Sequence, residues 1–109
     1  MALNETTLLE AARALSQRII AQGGSSPAKQ IEFAFRLCTA RSPTKFERDR
    51  LLNFYERQLK SFERDPRAAE ALLNVGSTQR LATQDARKLA AWMMVANVLL
   101  NLDEALTKG

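Results

Sequence analysis

Side chains that carry catalysis are few in this sequence. It contains one cysteine, Cys38, and no histidine. The absence of imidazole excludes Ser-His-Asp and Cys-His catalysis, the HExxH zinc motif and CxxCH haem attachment. Cys38 falls on the apolar face of a predicted helix, where a thiol is normally an inert core residue rather than a nucleophile. We therefore predict no enzyme, no catalytic residue and no cofactor.

Oxygen ligands for a metal ion are equally sparse. Asn97 and Asn101 are one helical turn apart, and Asp103 and Glu104 follow them. An amide pair with carboxylates beyond it can line a polar pocket or hold a hard cation. The spacing matches ligand patterns only loosely, and buried amides usually hydrogen-bond loop backbone or cap a neighbouring helix. We predict that structural role for both asparagines and no metal site.

The plausible soft metal ligands are Met93, Met94 and Cys38. Thioether and thiolate sulfur bind haem iron or copper in several protein classes. Adjacent residues of an α-helix point about 100° apart, so the two methionines cannot easily face one metal. We predict that they fill the core.

Basic residues gather where the second and third predicted helices meet: Arg36, Arg41, Lys45, Arg48 and Arg50. Such a group can contact nucleic-acid phosphates. Acidic residues are interleaved with it, namely Glu32, Glu47 and Asp49, and no aromatic readout motif accompanies the charge. The net charge of +4 favours acidic partners only weakly. An ion-paired, solvated surface is the main interpretation, and a nucleic-acid binding module using the Arg36–Arg50 cluster is the alternative.

Start and stop signals divide the chain into five helices. They are predicted over about 5–22, 27–41, 45–64, 66–75 and from 85 onward. Ser26-Pro27 and Asp65-Pro66 are start signals, and Thr44 with Glu47 forms a capping box. The polar segment Gln79–Gln84 is the predicted flexible loop.

Apolar residues recur at helical spacing in every one of these segments. The inward residues are predicted to be Leu8, Ala12, Leu15 and Ile19; Ile31, Ala34, Phe35 and Cys38; Leu52, Tyr55, Leu59 and Phe62; Ala68, Leu72 and Val75; and Leu89, Trp92, Met93, Ala96, Leu99 and Leu100. Phe33 and Leu37 widen the stripe of the second helix, which predicts that this helix is central. Val95, Val98 and Leu102 make the last helix apolar on further sides.

The fold class predicted from these patterns is all-α. We expect a bundle of about five helices with orthogonal or up-down packing and no strands, forming a single helical domain over residues 1–109. Residues 89–102 are the most apolar segment, but as a helix they would span only about 21 Å of a hydrocarbon core of about 30 Å. No membrane span is predicted, and the polar start at Asn4 and Glu5 does not resemble an export signal.

Four segments resemble a domain of unknown function found in planctomycetes and related bacteria. They are EAARAL (10–15), AFRLCTARSPT (34–44), LLNFY (51–55) and AAWMMVANVLLNLDE (90–104). In that family the matching region looks like the C-terminal part of large exported proteins that often carry a cytochrome c-like haem domain. The resemblance implies a C-terminal piece of a larger protein, or a stripped-down relative, and an exported or periplasmic location. It implies no site residue.

A full set of apolar helix faces beside so few reactive side chains favours a non-catalytic role. We predict a helical interaction or structural domain that packs against other domains of a parent chain or against itself. Phe46 and Phe54 are the candidates for exposed contact with such a partner. No cleft in which charged groups converge from several helices is expected.

Overall fold

The computed structural model describes the backbone of residues 5–74 and 85–108 and the side chains of residues 9–74 and 85–102. Within these ranges the chain forms five helices and no strand: α1 (Glu5–Gln22), α2 (Pro27–Thr39), α3 (Lys45–Arg64), α4 (Pro66–Leu73) and α5 (Ala86–Lys108). The predicted all-α bundle of about five helices is confirmed. The predicted loop Gln79–Gln84 and the predicted core residues Leu8 and Val75 lie outside the described side chains.

Side-chain caps explain where the helices begin. An oxygen of a Ser, Thr or Asp side chain accepts a hydrogen bond from the first turn at Ser26, Thr44, Asp65 and Asp85. Each cap satisfies a backbone N–H that has no partner inside the helix. α2 ends at Thr39, two residues before the predicted end, because Ala40 adopts the left-handed conformation with φ of 61°.

α5, rather than α2, is the central helix. It packs against each of the other four helices, most extensively against α1. Its buried residues are Leu89, Ala90, Ala91, Trp92, Met93, Val95, Ala96 and Leu99. Three of these are alanines, whose small side chains allow neighbouring helices to approach closely on several sides of α5. The prediction that α2 is central is wrong, because α2 packs less extensively against the other helices than α5 does and Leu37, in its second apolar row, is exposed.

The buried face of α4 differs from the predicted one by a rotation of one residue. Ala69 and Leu73 are buried and Leu72 is partly buried, whereas Ala68 is exposed. Leu73 packs in a small cluster with Leu89 and Met93 of α5. In a helix of eight residues two adjacent apolar rows have similar periodicity, and the position of α5 decides which of them is covered.

Two polar residues of α1 are buried, which the sequence patterns did not predict. Arg13 is 2% exposed and Ser16 is fully buried. The Nη1 of Arg13 donates a hydrogen bond to the carbonyl oxygen of Leu73, at the C-terminal end of α4. Helix-terminal carbonyls lack an intrahelical donor and carry partial negative charge, so a guanidinium satisfies both needs. Arg13 therefore ties α1 to the end of α4.

Among the described residues, no helix combines the length and the apolar character that crossing a bilayer requires.

Candidate interaction surface

α2 has two apolar faces, one buried and one exposed. Ile31, Ala34 and Phe35 face the core and are at most 1% exposed. Phe33 is partly buried and packs with one side against the main core, whereas Leu37 is 41% exposed. Since residues four apart lie one above the other on a helix, Phe33 and Leu37 form a separate apolar row.

Two parallel rows of side chains border a shallow groove on this outer face. Lys29, Phe33 and Leu37 form the first row, and Glu32, Arg36 and Ala40 form the second. Both rows repeat every four residues, which is the spacing of the ridges that interdigitate when two helices pack together. The groove has a volume of about 520 Å³. We call these six residues the α2 docking face.

The α2 docking face carries a net positive charge. Nη1 of Arg48, on α3, lies 3.4 Å from Oε1 of Glu32, so the one carboxylate of the face is already paired. Lys29 and Arg36 have no ion pair among the described residues. The exposed apolar row is thus accompanied by two cations that can attract an acidic partner.

The predicted basic cluster is largely held in local contacts. Arg41 makes a two-pronged ion pair with Glu47, with both N–O distances 2.9 Å. Its guanidinium also lies 4.8 Å from the ring centroid of Phe35. Arg48 pairs with Glu32 and lies 3.8 Å from Asp49. The structure therefore brings the interleaved acids onto the arginines, as the interpretation of an ion-paired surface predicted.

Glu47 combines a capping role with this ion pair. Its backbone N–H donates to Oγ1 of Thr44 at 3.1 Å, and its Oε1 accepts from the N–H of Thr44 at 2.9 Å. The predicted capping box is thus confirmed. The hydrogen bond from Arg41, followed by the one from the Thr44 backbone, lowers the pKa of Glu47 to about 2.

Replacing Arg41 with methionine should raise the pKa of Glu47 from about 2 part of the way to its ordinary value of 4.5, because the Thr44 bond remains. The lowered pKa means that the ion pair adds stability above pH 4.5 and loses it as the pH falls towards 2. Titration of the Glu47 carboxyl carbon by NMR measures the shift. Arg48→Met is the matched control and should leave this pKa unchanged; an equal rise in both variants would contradict the assignment.

The two phenylalanines predicted as exposed contacts differ in the structure. Phe46 is 68% exposed, and the guanidinium of Arg50 lies 5.4 Å from its ring centroid. Phe54 is partly buried and packs against the main core. The predicted exposure is therefore confirmed for Phe46 and wrong for Phe54, whose ring the core partly covers. Contact of Phe46 with a partner stays a prediction.

Asn97 and Asn101 do not converge on a ligand site. Nδ2 of Asn101 donates to the backbone carbonyl of Asn97 at 2.9 Å, so the bond is within α5 and not to a loop or a neighbouring helix. Oδ1 of Asn97 is buried and accepts no hydrogen bond from the described residues. The side chains of Asp103 and Glu104 lie outside the described part. Where side chains are described, no three His, Cys, Asp or Glu residues are grouped to hold a metal ion.

The sulfur-containing residues contribute to packing. Met93 is buried beside Leu73 and Leu89, whereas Met94 is only partly buried and packs against the main core. Cys38 is also partly buried against that core. The different burial of Met93 and Met94 agrees with the expected divergence of neighbouring side chains.

The expectation that no cleft would bring charged groups together from several helices is wrong, because the structure contains one. It lies where the end of α1, the start of α2, the middle of α3 and the start of α5 meet, and it has a volume of about 440 Å³. Glu56, Asp85 and Lys88 converge on it around the buried pair of Tyr55 and Trp92. Tyr55 and Trp92 are core residues, as predicted. The cleft beside them was missed because the periodicity within one helix does not indicate which charged residues of other helices lie next to it.

Comparisons of the chain with protein-family models, curated proteins and solved structures found no match. The resemblance to the planctomycete domain therefore stays a prediction.

Proposed function

We propose that this chain is a non-catalytic interaction module that docks an acidic amphipathic helix of another protein on the α2 docking face. The observation that carries the proposal is the row formed by exposed Leu37 and partly buried Phe33, bordered by Lys29 and Arg36. Helix-in-groove recognition uses such rows, with apolar anchors at i, i+3 or i+4. Carboxylates flanking those anchors would meet the two cations.

A second copy of the same chain fits this face less well. Two copies placed face to face would bring Lys29 and Arg36 of each molecule close to the same cations of the other. The net charge of +4 adds a general repulsion between copies. Charge complementarity therefore favours an acidic partner over self-association.

Nucleic acid is also a less suitable partner. Arg41 and Arg48 already bind carboxylates, so fewer cations remain to replace the counterions of a phosphate backbone. Phosphates also gain nothing from the apolar row. The sequence-based alternative of a nucleic-acid binding module is retained as an outcome of the experiment.

The test uses the full chain and two synthetic amphipathic helices, both with leucines at i, i+4 and i+7. One has glutamates beside the leucines and the other has lysines. We expect the glutamate peptide to bind and to shift the NMR signals of the α2 docking face. Leu37→Asp and Arg36→Glu should each weaken binding by about tenfold or more, since each removes an anchor or reverses a charge.

Leu102→Asp is the matched control, because Leu102 is 36% exposed and belongs to α5, outside the α2 docking face. It should leave binding unchanged, and circular dichroism checks that each variant folds. Equal binding of both peptides would overturn the proposal. Dimers that form with rising concentration in sedimentation experiments, and that Leu37→Asp abolishes, would also overturn it in favour of self-association. Salt-sensitive binding of duplex DNA that is lost in Arg36→Glu but kept in Leu37→Asp would overturn it in favour of nucleic acid.

A further inference from the structure

The cleft beside Tyr55 and Trp92 has an aromatic floor and apolar walls. The two rings are stacked, with centroids 4.2 Å apart and planes inclined by 26°. Trp92 is 1% exposed and Tyr55 is 4% exposed, so the floor is rigidly packed. Ile20 of α1 and Leu59 of α3 supply apolar walls. This part of the cleft suits a short aliphatic or aromatic group.

The rim of the cleft carries two carboxylates, Glu56 and Asp85, and one cation, Lys88. Glu56 of α3 has no ion pair among the described residues. Asp85 accepts backbone hydrogen bonds from Arg87 at 2.9 Å and Lys88 at 3.4 Å, which fixes its carboxylate at the start of α5. Nε of Arg87 lies 3.5 Å from Asp85 Oδ1 on the same helix. Lys88 is the single cation among the described lining residues.

The electrostatic environment of the Tyr55 hydroxyl also reflects these carboxylates. Burial is the main cause that raises the pKa of Tyr55, and a hydrogen bond with the Trp92 side chain opposes it. The further causes are the charges of Asp85, Glu56 and Glu63, which all raise it. Carboxylates from two helices therefore place the floor of the cleft in a negative potential.

From this geometry we infer that the cleft binds an organic cation on an apolar stem, with the stem against Ile20 and Leu59 and the cationic end between Glu56 and Asp85. An alkylammonium group has this chemistry, whether it is a free amine or a lysine side chain of a peptide. A bare divalent cation suits the site poorly, because Ca²⁺ and Mg²⁺ require several oxygen ligands and the walls are apolar. The cleft shares no residue with the α2 docking face, so the two sites can be tested separately.

The experiment titrates the full chain with n-butylammonium and, as a neutral control of the same length, with n-butanol. Trp92 is the single tryptophan of the sequence, so its fluorescence reports directly on the floor of the cleft. NMR shift perturbations identify the binding residues. We expect n-butylammonium to bind at least about fivefold more tightly than n-butanol, since only the cation gains from the two carboxylates.

Charge variants give effects of opposite sign. Glu56→Gln with Asp85→Asn should weaken binding of n-butylammonium by about tenfold, and asparagine preserves the cap of α5. Lys88→Met should strengthen it by about threefold, because it removes the competing cation. Asp49→Asn is the control and should change affinity less than about twofold, because Asp49 is an exposed carboxylate of α3 that lies outside the cleft lining and is not among the charges that act on Tyr55.

A second pair of probes separates the two sources of the cation. A short peptide containing one lysine is compared with the same peptide containing norleucine. Tighter binding of the lysine peptide than of n-butylammonium indicates a peptide partner, and the reverse order indicates a free amine. Equal affinities for n-butylammonium and n-butanol, or no loss in the Glu56→Gln/Asp85→Asn variant, would overturn the inference.

Discussion

Trp92→Ala is expected to lower the free energy of unfolding by about 3–5 kcal/mol, the usual cost of removing a buried tryptophan from a core. The indole is 1% exposed in the N-terminal half of α5 and stacks on Tyr55 of α3. Its loss removes apolar burial and leaves a cavity that the surrounding helices cannot fill completely. It also removes the stacking contribution of the aromatic pair.

Urea unfolding followed by circular dichroism measures this effect without requiring the lost fluorophore. Trp92→Phe should cost clearly less than Trp92→Ala, because a ring remains in place to stack on Tyr55. Phe46→Ala is the exposed aromatic control, and at 68% exposure it should change stability by no more than about 0.5 kcal/mol. Similar losses for Trp92→Ala and Phe46→Ala would show that α5 is not the centre of the fold.

Arg13→Ala is expected to lower the free energy of unfolding by about 3 kcal/mol, a large effect for a charged residue. The guanidinium is buried and donates to the carbonyl of Leu73, so the variant leaves a helix-terminal acceptor without this donor. It also removes the packed aliphatic stem between α1 and α4. Burying the charge of Arg13 itself costs free energy, and the alanine variant avoids that cost. The expected loss of stability is therefore smaller than the lost hydrogen bond and the lost packing would give together.

Arg18→Ala is the matched control on the same helix. Arg18 is exposed, and its Nε donates to Gln22 Oε1 at 3.1 Å, so we expect a change within about 0.5 kcal/mol. Arg13→Met keeps most of the aliphatic stem, so its loss of stability should fall between those of Arg13→Ala and Arg18→Ala. Chemical denaturation at pH 7 measures all three variants. A loss for Arg13→Ala no larger than that for Arg18→Ala would refute the proposed tie between α1 and α4.

Caps and apolar spacing in the sequence predicted the helix boundaries well, but they predicted less well which face of each helix is covered by another helix. The capping box of Thr44 and Glu47 gave the start of α3, and its predicted span agrees with Lys45–Arg64. The rotation of α4 by one residue and the outward row of α2 were missed. Both depend on where another helix lies, and the periodicity within a single helix contains no information about that position.

The candidate sites likewise combine features that the sequence predicts with features that depend on how the helices pack. The exposure of Phe46 and the interleaving of acids with the basic cluster could be inferred from residue types and spacing. The cleft could not, because Glu56 and Asp85 are far apart in sequence and their helices converge only in the bundle. The burial of Arg13 was missed because a charged residue at the edge of an apolar stripe is usually exposed, and the acceptor that permits its burial belongs to α4.

The sequence by itself determined which segments become helices, since caps, prolines and apolar periodicity act within about one or two helical turns. It also determined the shortage of reactive side chains, which is a matter of composition. Only the tertiary structure decided that α5 is central, that Arg13 binds the end of α4, and that one row of α2 remains uncovered. These features arise from helices competing to bury their faces against one another, and that competition is settled by the packing of the whole chain.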